Sequence, residues 1–150
     1  SLASKYRADK MQSNKSKNII FIRLSSGENV TDEIKEVCKL YKVKTAVVIS
    51  GIGQIKKAKL GYFKGKGNYA EEIFDKPLEL LSLTGNIVYQ NKDYIMHLHC
   101  VLGDEKKNAL GGHFIEGTVG VVVEIVLLKT NINAYRKLDE ETGLKTLFLE

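Results

Sequence analysis

The sequence predicts a strand-rich α/β domain of the α+β type, with one principal helix covering a sheet. Three observations carry that prediction. Runs of β-branched residues recur along the chain, the longest from Thr118 to Leu128. One stripe at helical spacing stands among them: Val30, Ile34, Val37, Cys38 and Tyr41. Turn signals, mostly glycine-bearing, separate the runs, and the only proline, Pro77, punctuates before one of them. At 150 residues the chain makes one domain with a real core and is too short for two. Its apolar fraction of 43% and charged fraction of 27% set it with globular rather than disordered proteins. A basic flexible tail over residues 1–17 and a single domain over 18–150 are expected. No apolar run reaches the length of about 18 residues that spans a bilayer, and the N-terminus lacks a signal-peptide core. A cytoplasmic protein with no membrane partner is the expectation.

Asn18 to Ser25 has the composition of an opening strand, closed by the turn signal Ser26-Gly27-Glu28-Asn29. The helix follows, with Asp32, Glu33 and Glu36 toward its start and Lys39 and Lys42 toward its end, the order that complements the helix dipole. Lys44 to Gly53 reads as a central strand buried on both faces and ended by glycines, with Gly51-Ile52-Gly53 as a turn. Lys59 to Phe63 and Tyr69 to Phe74 are shorter strands joined by the hairpin turn Gly65-Lys66-Gly67-Asn68. In the next strand, Leu78 to Thr84, Gly85-Asn86 forms a break before Ile87-Val88-Tyr89. Thr84-Gly85-Asn86 calls for a bulge or a positive φ. Thr118 to Leu128 reads as a strand at the sheet centre or at a subunit interface. Ala134 to Leu138, a charged turn, and Leu144 to Leu149 close the chain as two further strands.

All three histidines lie between Tyr94 and Leu128. His97 and His99 sit in the apolar strand Tyr94 to Leu102, where residues two apart share a face. His113 follows a loop from Gly103 to Leu110 and the pair Gly111-Gly112, which can return it opposite the other two. Three converging imidazoles suit Zn²⁺ with a fourth position open. Hydrogen-bonded histidines in a half-buried strand are the plainer alternative. Glu116 and Glu124 are the nearest carboxylates for a general base, and Glu124 can alternatively orient a ligand histidine or simply face solvent. Cys38 and Cys100 read as buried free thiols. Cys100 faces away from its neighbour His99, which makes it a poor fourth ligand.

The net charge of +5 is uneven. Lys5, Arg7, Lys10, Lys15 and Lys17 against Asp9 give the first 17 residues +4, leaving +1 for the rest. That tail is the candidate nucleic-acid contact, touching phosphates without sequence preference. Lys56, Lys57, Lys59, Lys64 and Lys66, with no acid between Glu36 and Glu71, form a second candidate anion-facing patch or a merely solvated one. The sequence holds no GxGxxG after its first strand and no GxxxxGK[ST], GxSxG, HExxH or CxxC.

The stretches GENVTDEIKEVCKLYKVKTAVVISGIGQIKKAKLGYF, LELLSLTGNIVYQNKDYIMHLHCVLGD and GGHFIEGTVGVVVEIVL resemble the PPC domain, the plants and prokaryotes conserved domain. The resemblance runs from about Asn18 to Lys129, with LSLTGN and GGH its more specific segments. It implies a mainly antiparallel, mixed sheet and a homotrimer. In plant nuclear proteins such domains follow AT-hook motifs and serve in trimerisation and partner docking, and some relatives hold a metal through an HxH plus GGH set, here His97, His99 and His113. Two functions follow: a trimeric DNA-associated or protein-interaction module with a three-histidine metal site, or a small zinc-dependent enzyme of hydrolase type that uses metal-bound water.

Overall fold

The computed structural model describes residues 10–150. Nine strands and one helix follow in the order β1 (Gln12–Ser16), β2 (Ile19–Ser25), α1 (Val30–Leu40), β3 (Thr45–Gly65), β4 (Asn68–Phe74), β5 (Leu78–Gln90), β6 (Asp93–Gly103), β7 (Ala109–Thr130), β8 (Ala134–Leu138) and β9 (Lys145–Leu149). Seven strands form one sheet in the order β1-β2-β7-β6-β5-β3-β4, and β8 pairs with β9 separately. An additional β7–β3 pairing closes β7, β6, β5 and β3 into a ring. Every strand pair is antiparallel, so the expected α+β architecture stands without the mixed component.

Helix α1 forms where the stripe placed it. The Asn29 side chain caps it by accepting from the Asp32 N–H at 3.0 Å. Asp32 and Glu33 occupy the first turn and Lys39 the last. Val30, Ile34, Val37 and Cys38 are buried against the sheet core with Ile20, Leu24, Val123, Ile125 and Leu127. Burial pushes the Cys38 thiol up to about 12 and the Cys100 thiol up to about 11, as expected of inert core thiols.

Several segments differ from expectation. Gln12–Ser16, assigned to the tail, is a strand in register with Arg23 to Ile19, because the turn at Lys17-Asn18 makes a hairpin with the opening strand. The central strand does not turn at Gly51-Ile52-Gly53. It continues as β3 through Gly65, absorbing its glycines in register shifts along β7. Gly85-Asn86 likewise lies inside β5, and β7 begins at Ala109, before His113. No helix among the described residues is long and apolar enough to cross a membrane.

The positive φ expected near Gly85 is present at +148°. A Cβ there would also collide with the His97 carbonyl oxygen of β6. Backbone conformation and close approach together demand glycine. Gly85→Ala should therefore cost about 2–4 kcal/mol of folding stability, read as a lowered urea midpoint with an unchanged slope.

Candidate metal centre

Strand register brings the three histidines together. His99 and His113 are direct partners across the β6–β7 ladder, and His97, two residues along β6, pairs with Asn86 of β5. Direct partners and residues two apart on a strand share a face. The rings meet with centroids 5.0 Å apart for His97–His99 and 5.5 Å for each pair involving His113. The His97 and His99 Nε2 atoms are 3.2 Å apart, and one nitrogen from each of the three lies within 4.8 Å of the others. A tetrahedral zinc with Zn–N of about 2.0–2.1 Å separates its ligand nitrogens by roughly 3.3 Å. The His97–His99 pair already has that spacing, and His113 presents a nitrogen within 4.8 Å of both. The 3.2 Å pair equally suits a neutral imidazole donating to its neighbour, so the geometry alone accommodates both readings of the histidines.

The surroundings favour the neutral form of His97 and His113. Burial first, then the Arg136 guanidinium and the other two histidines, hold His97 below the ordinary histidine value. Burial and then His99 do the same for His113. A neutral imidazole is the ligand form, so no proton has to be displaced near pH 7. Tyr69 of β4 meets the His113 ring edge-on at 5.6 Å. Its ring lies over Gly61, the β3 partner of His113, where any Cβ would strike it. Gly61 thus gives Tyr69 the room to brace the third histidine.

The ligand cluster contains only the three histidines among the described residues. Glu116 is exposed and pairs with Lys59. Glu124 lies eleven residues along β7 from His113, roughly 36 Å of strand, and lines a separate cleft with Phe21, Arg23 and Ile52. It does not orient a ligand histidine. Cys100 is buried on the opposite side of β6 from His99, as expected.

The cationic candidates disperse. Lys5 and Arg7 lie outside the described residues. Lys10 is exposed, Lys15 stands on β1 with its Nζ donating to the Lys17 carbonyl at 2.9 Å, and Lys17 forms the hairpin tip. Along β3 the sheet supplies one acid that the linear sequence withheld, Glu71, which pairs with Lys59 at 3.1 Å; beyond the strand, Lys66 donates to the backbone carbonyl of Glu140. Arg136, Asn86 and Tyr69 are site residues that sequence reasoning missed. Nothing in the Ala134 to Leu138 window marked Arg136 as a site residue.

A family model for the Plants and Prokaryotes Conserved (PCC) domain matches residues 11–131. The chain belongs to the PCC domain family. Among solved structures, this PCC domain is similar to the plant- and prokaryote-conserved protein of Pyrococcus horikoshii, at 28% identity and TM-score 0.76, covering 93% of this chain and 96% of that one. It is similar to a metal-containing protein of Archaeoglobus fulgidus at 26% identity and TM-score 0.78, covering 95% and 99%. A proposed DNA-binding protein of Bacteroides thetaiotaomicron shares the fold at TM-score 0.87 and 24% identity, covering 93% and 97%. A curated relative, the bifunctional protein GlmU of a Synechococcus strain, is 25% identical over 131 residues, and the match spans a fifth of that protein's length.

The lowered histidine values set the sign of one pH effect. Below the ordinary value of 6.5 the unfolded chain takes up protons that folded His97 and His113 resist. Their contribution is fully present above that value and is lost as pH falls toward the folded values. Urea unfolding of chelator-treated protein should show stability falling from pH 7.5 to pH 5.5, with a smaller fall in the His97→Ala/His113→Ala double variant.

Proposed function

We propose that this PCC domain is a metal-holding module in which His97, His99 and His113 bind one divalent ion, zinc foremost, and which works as a homotrimer. The carrying observation is the convergence of three ring nitrogens within 4.8 Å on a rigid antiparallel ladder. Similarity to a metal-containing protein supports the same reading. Bound zinc with three protein ligands keeps a position for water or an exogenous ligand, where it acts as a Lewis acid. The chain's own contribution is to present neutral imidazoles, held in place by strand register and by Tyr69. A hydrolase reading would need a carboxylate at the ion, and Glu116 and Glu124 both lie outside the cluster. Binding of a ligand at the open position therefore fits better than hydrolysis. Association with DNA would draw on the +4 charge of residues 1–17; of the β3 lysines, Lys59 is met by Glu71 across the sheet.

The trimer is supported by an apolar outer face. Phe21 is 63% exposed and Val121 65%, and Val47, Ile49, Ile52 and Leu81 are also exposed on β2, β3, β5 and β7. An apolar surface of this kind on a folded domain marks a contact with another chain. Continuity with the Thr118 to Leu128 run favours a second copy as the occupant.

Elemental analysis of untagged protein should give one zinc per chain, and His97→Ala or His113→Ala should each lower that content to background. Wild-type protein without metal after dialysis against zinc would defeat the site. Light scattering should return about three times the chain mass of 16.8 kDa; a monomer mass would defeat the trimer.

A further inference from the structure

The histidine cleft also contains a cation that the fold does not neutralise. Arg136, on β8, is only 8% exposed. Its Nη2 donates to Asn86 Oδ1 at 2.6 Å and its Nη1 reaches the Lys145 carbonyl at 3.4 Å, while Nε is buried with no partner. The ion pairs among the described residues join Lys35 to Asp93, Lys39 to Glu36 and Lys59 to Glu71, and none involves Arg136. A buried charge without a counter-charge is costly. Yet the residue is held firmly. Its backbone N–H donates to Gln90 Oε1 at 2.7 Å, and its carbonyl accepts from Gln90 Nε2 at 2.9 Å.

The guanidinium stands beside the proposed metal ligands. Asn86, which anchors it, is the direct strand partner of His97. Such partners have Cβ atoms about 5 Å apart. Arg136, His97, His113 and Tyr69 line one cleft of about 470 Å³, with Met96 and Leu147 among its apolar walls. That volume lies in the usual range for small-molecule sites.

We propose that this cleft takes a small carboxylate anion, with the carboxylate between Arg136 and the open metal position and the remainder against the apolar walls. A guanidinium offers planar, parallel donors that match a carboxylate, and no carboxylate among the described residues is paired with that of Arg136. Contact with the ion rests on the metal reading above; the part played by Arg136 does not.

The test is calorimetric titration with propionate, using zinc-loaded and chelator-treated wild type, Arg136→Gln and Arg136→Lys, with inorganic phosphate in parallel. Propionate should bind zinc-loaded wild type, and binding should weaken about tenfold or more in Arg136→Gln. Zinc content should remain at the wild-type level in that variant. If Arg136→Gln fails to fold, Arg136→Lys, which keeps the charge and loses the fork, should still weaken propionate several-fold. No propionate binding to wild type, equal affinity in the folded variants, or phosphate binding tighter than propionate would overturn the proposal. Wild type that holds no zinc but binds propionate through Arg136 would defeat the metal reading alone.

Discussion

The antiparallel register of β6 between β5 and β7 is the constraint on which the site depends. His99 faces His113 on one side of β6, and His97 faces Asn86 on the other. A shift of one residue on either ladder would turn these side chains to the opposite face and bury imidazoles where Leu98 and Cys100 now pack. The buried residues hold the register in turn. Leu83, Ile87, Leu98, Leu102 and Phe114 are almost fully inaccessible, so slippage would expose them to water. Core packing and ligand geometry are consequently one specification.

Two glycines make that ladder possible at the site itself. Gly85 lets β5 approach the His97 carbonyl in a conformation that L side chains avoid, and Gly61 leaves the space that Tyr69 fills beside His113. Without the first, β5 could not carry Asn86 to His97. Without the second, the third ring would lose its brace. The closure of β7, β6, β5 and β3 adds rigidity, because each strand of the ring is paired along both edges over part of its length.

Local signals were readable from sequence wherever a short window carried the whole physics. The helix stripe, the β3–β4 hairpin and the special backbone at Gly85 are of this kind. The shared face of His97 and His99 follows from strand periodicity alone, and the return of His113 needed only a hairpin. Long-range pairing decided the rest. Gly51 and Gly53 look like punctuation in a window of ten residues, but β7 lies beside them and carries the strand through. Lys59 looks unopposed until β4 brings Glu71 to it. Residues 12–16 look like tail because polar composition hides a strand whose hydrogen bonds go to β2. Arg136 lies 37 residues beyond His99, and only the fold of the β8–β9 hairpin onto β5 joins them.

The electrostatics of the cleft follow from that last juxtaposition. Partial burial beside a guanidinium disfavours the charged form of His97, since a second positive charge there would be both desolvated and repelled. The same neutrality makes it a donor to a cation. A divalent ion so bound would add two charges beside Arg136, with no carboxylate in the cluster to offset either. With the ion bound, the sum would be a small, partly apolar cavity with concentrated positive charge. Water alone compensates such a cavity poorly where Met96 and Leu147 line it, whereas an anion with an aliphatic body satisfies the charge and the walls together.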